Sequence, residues 1–190
     1  MLRMNNYLKK LWDIFWKDDS ILGWILNIIV AIILVKFVIY PGLGFVFNTD
    51  FPVVAVISGS MVHERGFDKW WVENGNYYEQ INISKEQFKD FRFKNGFNRG
   101  DIMVLWGRSE INIGDVIVFQ GTANKPIIHR VIERNGDGTY RTKGDHNSDS
   151  RSDELKVSKV YGEAVFRIPL LGYIKIFFTD ILNLIFGFSM

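Results

Sequence analysis

The sequence predicts a mainly β fold: an antiparallel β domain behind an N-terminal transmembrane helix, with a small helical insertion. Three observations predict it. Residues 21–40 form an apolar stretch interrupted only by Asn27 and Lys36. Short runs rich in Val, Ile and aromatics recur from residue 53 to residue 168. An aromatic block with interleaved charge, about residues 64–100, separates the first run from the second.

Residues 1–20 read as a cytoplasmic amphipathic segment, with Leu8, Leu11, Trp12, Phe15 and Trp16 on one helical face for the inner membrane surface. The transmembrane helix, 21–40, follows. Twenty helical residues span roughly 30 Å, the thickness of the hydrocarbon layer. Lys36 lies near one end, where its stem can snorkel, and Trp24 and Tyr40 suit the aromatic belts. Arg3, Lys9, Lys10 and Lys17 precede the span, and the next basic residue after Lys36 is Arg65. The positive-inside rule therefore predicts a cytoplasmic N-terminus and an extracytoplasmic chain beyond it.

"YPGLG" (40–44) is expected to break the helix. The extracytoplasmic β domain is expected over 41–168, with strands in "VVAVIS" (53–58), "DIMVLW" (101–106), "DVIVF" (115–119), "IIHRVIE" (127–133), "TYRTKG" (139–144) and "VYGEAVFRI" (160–168). "NGDGTY" (135–140) signals a hairpin. Within the insertion, "SKEQFKDF" reads as a helix with Ser84 as its cap. Residues 169–190 are apolar but contain Lys175, Asp180 and Asn183, so an interfacial helix and a second span both fit.

Composition excludes several functions. The chain has 190 residues, a net charge of +2 and no cysteine. Thiolate catalysis, disulfides and cysteine metal sites are ruled out. The balanced charge gives no field for nucleic acid, despite the aromatic insertion. No cofactor is implied. His129, Asp145, His146 and Asp149 lack metal-ligand spacing, so no metal site is expected.

What remains is serine chemistry. Ser60 ends an apolar strand, His129 sits inside "KPIIHRVIE", and acids cluster in "TKGDHNSDSRSDE" (142–154). A serine hydroxyl needs a base to attack at neutral pH, imidazole suits that task, and a carboxylate can orient the ring. Spacing alone does not establish such a set. His63, three residues from Ser60, sits in an extended turn that points it elsewhere, and His146 reads as a solvated loop residue.

The ordered patterns "SGSM", "RGDIMVL", "IGDVIVF", "IIHRVIE" and "TKGDHNSDSR" are more specific. Together they resemble type I signal peptidase, the membrane-bound serine endopeptidase that removes signal peptides from exported proteins. Bacterial members carry a lysine where this chain has His129; histidine there is similar to the archaeal and endoplasmic-reticulum branch. The resemblance implies Ser60 as nucleophile, His129 as general base, Asp145 and Asp149 at the family's acidic positions, with Asp153 as the alternative acid. It also implies Ser58 as an oxyanion donor beside the Ser60 backbone N–H. The strand entering Ser60 (Val53, Val54, Ala55, Val56 and Ile57) would hold an extended substrate by strand addition. The chain departs from the family pattern at "SGSM-x-P", where His63 replaces the proline, and in the length of the insertion.

The resemblance further implies signal-peptide-bearing preproteins as substrates, membrane lipid and the protein-export machinery as partners, and a cell-membrane or endoplasmic-reticulum location. Two other readings stand against it: a non-catalytic membrane-anchored β scaffold of an export complex, and a repressor-type self-cleaving serine peptidase.

Overall fold

The computed structural model describes residues 20–107, 110–121, 125–174, 176–177 and 180–181. The expected amphipathic segment before residue 20 and most of the C-terminal apolar segment lie outside the described residues.

Contacts divide the chain between Val46 and Phe47. The first unit is helical. Helix α1 (Ile21–Leu34) is capped by the Ser20 hydroxyl, which accepts from the Gly23 N–H. It continues through a π-helical stretch, Val35–Ile39, into α2 (Tyr40–Phe47). The continuous helix, Ile21–Phe47, is 27 residues long and apolar enough to cross a membrane. The break expected at "YPGLG" does not occur. A proline inside a helix removes one N–H and presses its ring on the carbonyl four residues back. The wider π turn just before Pro41 is where that misfit is absorbed, and the helix runs on for six residues past the proline.

The second unit is built on one six-stranded antiparallel sheet. Its strands are β1 (Val53–Ala55), β2 (Ile102–Trp106), β3 (Val116–Gln120), β4 (Pro126–Arg134), β5 (Tyr140–Lys143) and β6 (Val160–Ile168), in spatial order β1-β2-β6-β3-β4-β5. Every expected strand is present. β3 is central and buried on both faces. Val116 and Val118 join Val56, Met61, Phe97, Met103 and Leu105 in one core, while Ile117 and Phe119 join Ile111, Val131 and Val157 in another. That alternation follows from the two-residue period of a strand.

The insertion forms two helices, α3 (Phe67–Gln80) and α4 (Lys85–Asp90). Ser84 caps α4 as expected, in a reciprocal capping box with Gln87. α3 was not foreseen, because Asn74, Gly75 and Asn76 are poor helix formers. Tertiary packing overrides that preference. A Cβ at Gly75 would lie 2.5 Å from the Trp71 ring, so glycine lets the indole lie against the helix. Trp70, Trp71, Tyr78, Ile83 and Phe88 then make an aromatic core that packs on Ile132 of β4.

Candidate active site

β4 positions the site by alternation. His129 pairs with Ile117 and Arg130 with Val116, so these neighbours project to opposite faces of the sheet. His129 is 4% exposed, and its Nε2 lies 2.8 Å from Ser60 Oγ. On its other side, Nδ1 bonds the Glu154 carboxylate. An ionised carboxylate only accepts, so Nδ1 carries the ring proton and Nε2 offers its lone pair to the Ser60 hydroxyl. This is the serine–histidine–acid geometry of an activated nucleophile.

Glu154 reaches His129 because the chain folds back. Val157 exchanges both backbone hydrogen bonds with Tyr140, beside β4, and the 3₁₀ turn Ser152–Glu154 lies just upstream. Glu154 is fully buried and also accepts from the Arg151 N–H at 2.8 Å and from Arg151 Nε at 3.2 Å. Burial pushes its carboxyl up, but the bond from His129 and those from Arg151 outweigh it, and the group is held below the usual glutamate value.

Of the acids expected near His129, none contacts it. Asp145 lies fully buried on the other network: Arg130 Nη2 at 2.7 Å, Arg130 Nε at 3.0 Å, Tyr78 OH at 2.9 Å and His63 Nε2 at 2.9 Å. Burial works against its charge, yet the Arg130 guanidinium and the His63 bond hold its carboxyl well below the aspartate range. Asp149 is exposed, accepts from Tyr77 OH at 2.8 Å and pairs with Arg141 at 3.2 Å. Asp153 lies 3.6 Å from Arg151 Nε. Sequence reading missed Glu154 although it ends the acidic cluster. The variable spacing after "GD" left the acid open among aspartates, and the fold-back at Val157 brings the glutamate to the ring.

The surroundings of Ser60 are tight. Ser58 Oγ lies 3.1 Å from Ser60 Oγ. The His146 N–H donates to the Ser60 carbonyl at 2.8 Å. A Cβ at Gly144 would sit 2.8 Å from His129 Nε2 and 2.9 Å from the Ser60 carbonyl oxygen, so only glycine fits there. Upstream, β1 is an edge strand paired only with β2; Val53, Val54 and Ala55 are half-buried on it, Val56 enters the core and Ile57 is exposed. His146 is exposed, as expected of a loop residue. Among the described residues no group of three metal-ligating side chains could hold a metal ion.

Known proteins are similar to this chain in sequence. The signal peptidase complex catalytic subunit SEC11 of Lachancea thermotolerans is 31% identical over 160 residues, 76% of each chain. The chain belongs to the signal peptidase catalytic-subunit family. SEC11 of Scheffersomyces stipitis is 30% identical over 168 residues, covering 81% of this chain and 80% of the relative. SEC11 of Eremothecium gossypii is 30% identical over 158 residues, covering 76% and 75%. No protein-family model matches the chain, and no solved structure matches it. Family membership makes the chain a serine endopeptidase, and it directs attention to the one described serine that a histidine–carboxylate pair addresses, Ser60.

Proposed function

We propose that this chain cleaves signal peptides from preproteins at the membrane by acyl transfer to Ser60. The observation that carries the reading is the hydrogen-bonded line from Ser60 Oγ through the His129 ring to Glu154. His129 Nε2 takes the hydroxyl proton as Oγ bonds the scissile carbonyl carbon. It returns that proton to the leaving amine nitrogen as the C–N bond breaks. Water then attacks the acyl-enzyme, giving its proton to His129, and the Ser60 oxygen leaves with that proton. Glu154 holds the imidazole in the productive tautomer and stabilises the imidazolium. The Ser60 N–H and the Ser58 hydroxyl are the oxyanion donors.

The substrate is an extended segment that adds to the free edge of β1 at Val53–Ala55. The apolar helix tethers the site to the membrane and so raises the effective concentration of emerging signal peptides. Its N-terminus is cytoplasmic and the sheet domain lies on the far side of a cell or endoplasmic-reticulum membrane, as the basic residues before the span favour. The relatives are named as subunits of a signal peptidase complex, and we infer that this chain works in a comparable assembly.

The test is cleavage of a model preprotein by membranes carrying Ser60→Ala or His129→Ala. Each variant is expected to lower kcat by about 10⁴-fold or more. Full cleavage by either one contradicts the reading.

A further inference from the structure

A second histidine–carboxylate pair lies behind the nucleophile. His63 is three residues from Ser60, its side chain is fully buried, and its Nε2 lies 2.9 Å from Asp145 Oδ2. The neighbouring oxygen, Oδ1, receives the Tyr78 hydroxyl at 2.9 Å. Since the Asp145 carboxylate only accepts, His63 Nε2 carries the proton it shares. His63 Nδ1 is buried with no hydrogen-bond partner. The ring therefore has one polar engagement, and its plane is fixed by stacking on Trp70 of α3, with centroids 3.7 Å apart and planes 5° from parallel.

Arg130 already secures Asp145 to β4, and its five N–H donors are all spent, on Asp145 and on the carbonyls of Arg92, Phe93 and Gly114. That bond ties Asp145 to the sheet. It does not tie it to the nucleophile. His63 does, because it belongs to the Ser60 segment. Two further links run alongside it: the Asp145 N–H to the Met61 side chain at Sδ, 3.3 Å, and the His146 N–H to the Ser60 carbonyl at 2.8 Å. The Ser60 carbonyl, and with it the direction of the adjoining backbone, is thus held by the residue that follows Asp145.

We propose that the helical insertion is a clamp on the active site, in which His63 and Tyr78 are positioning residues that hold loop 144–146 against Ser60 through the Asp145 carboxylate. Neither touches substrate or the reacting atoms. The inference rests on the Ser60–His129 reading of the site. It gives the insertion a function and explains what occupies the place of the proline missing from "SGSM-x-P": a side chain that is a donor on one edge and a stacking surface on its face.

The experiment compares His63→Phe, His63→Gln and Tyr78→Phe with wild type in the full chain in membranes. The readouts are kcat and KM on a model preprotein, the rate at which a fluorophosphonate labels Ser60, and near-ultraviolet circular dichroism of the purified proteins. His63→Phe keeps an aromatic ring for Trp70 but loses the donor. It is expected to lower kcat and the labelling rate roughly tenfold to a hundredfold with KM little changed, as a displaced nucleophile would. His63→Gln keeps a donor at similar reach and is expected to recover most of that loss. Tyr78→Phe, which removes only a hydroxyl, is expected to lower kcat several-fold and keeps the test open if His63→Phe does not fold. Wild-type kcat and labelling in folded His63→Phe, or in Tyr78→Phe, would overturn the clamp, as would equal losses in His63→Phe and His63→Gln. Full preprotein cleavage by the Ser60→Ala variant would instead overturn the reading beneath it.

Discussion

Among the described residues there are two buried histidine–carboxylate pairs, His129–Glu154 and His63–Asp145, and they differ in what lies beyond the ring. At His129 the second nitrogen meets the Ser60 hydroxyl. At His63 the second nitrogen meets nothing among the described residues that it can bond. Pairing with an acid therefore does not by itself set a histidine against a serine hydroxyl. Each pair's chemistry is decided by the group across the ring and by the company of its carboxylate. Among the described residues Glu154 accepts from the His129 ring and Arg151, while Asp145 is saturated by Arg130, Tyr78 and His63.

The comparison can be broken by exchanging the effects expected at each pair. Gly144→Ala places a methyl group against His129 Nε2 and the Ser60 carbonyl, so the His129 ring must move. About a hundredfold or greater loss of kcat is expected, with the fold retained by circular dichroism. Unchanged kinetics would mean that the contact between these two loops is looser than the geometry states.

Asp145→Asn should act in the opposite register, on stability first. It leaves the wholly buried Arg130 without its counter-charge, and breaking such a pair costs about 3–5 kcal/mol, read from denaturant midpoints. The same carboxylate sets the acid limit of the fold. Its folded value lies below its unfolded one, so its contribution is complete above about pH 4, the usual aspartate range, and is lost as pH falls below that. Wild type is expected to lose stability steeply there and Asp145→Asn much less so.

The smallest expected effect sharpens the second network. Lys143 is 1% exposed and donates to the Gly144 carbonyl beside the Tyr77 and Tyr78 rings. Burial pushes its ammonium down to about 8. Below that pH both folded and unfolded chains hold the proton, and the fold bears the full cost of burying it. Between pH 8 and about 10.4 only the unfolded chain holds it, so stability rises with pH. Lys143→Met should stabilise by about 1–3 kcal/mol at pH 7, a gain that shrinks above pH 8. A loss at pH 7 would show that the bond to Gly144 outweighs desolvation.

The two pairs also differ in how far the sequence discloses them. The strands were legible because each carries its own β-branched run, and Ser84 announced α4 by a cap and its Gln87 partner. Ser60 and His129 were legible through the local patterns around them. Glu154 was not, because its selection depends on the Val157–Tyr140 pairing, which no neighbouring residue encodes. His63 was not expected to bond an acid, and its tie to Asp145 was invisible, since 82 residues separate them and the aromatic insertion lies between. Pro41 misled for a related reason: a proline's local preference says nothing of a π turn that accommodates it.

The identity of the orienting acid is the point at which the whole account is most exposed. The direct measurement is kcat for preprotein cleavage by Glu154→Gln, Asp149→Asn and Asp153→Asn, side by side in membranes with equal protein levels. A drop of about 10²–10⁴-fold is predicted for Glu154→Gln, with Asp149→Asn and Asp153→Asn within about threefold of wild type. A large loss in either aspartate variant, with Glu154→Gln near wild type, would contradict it.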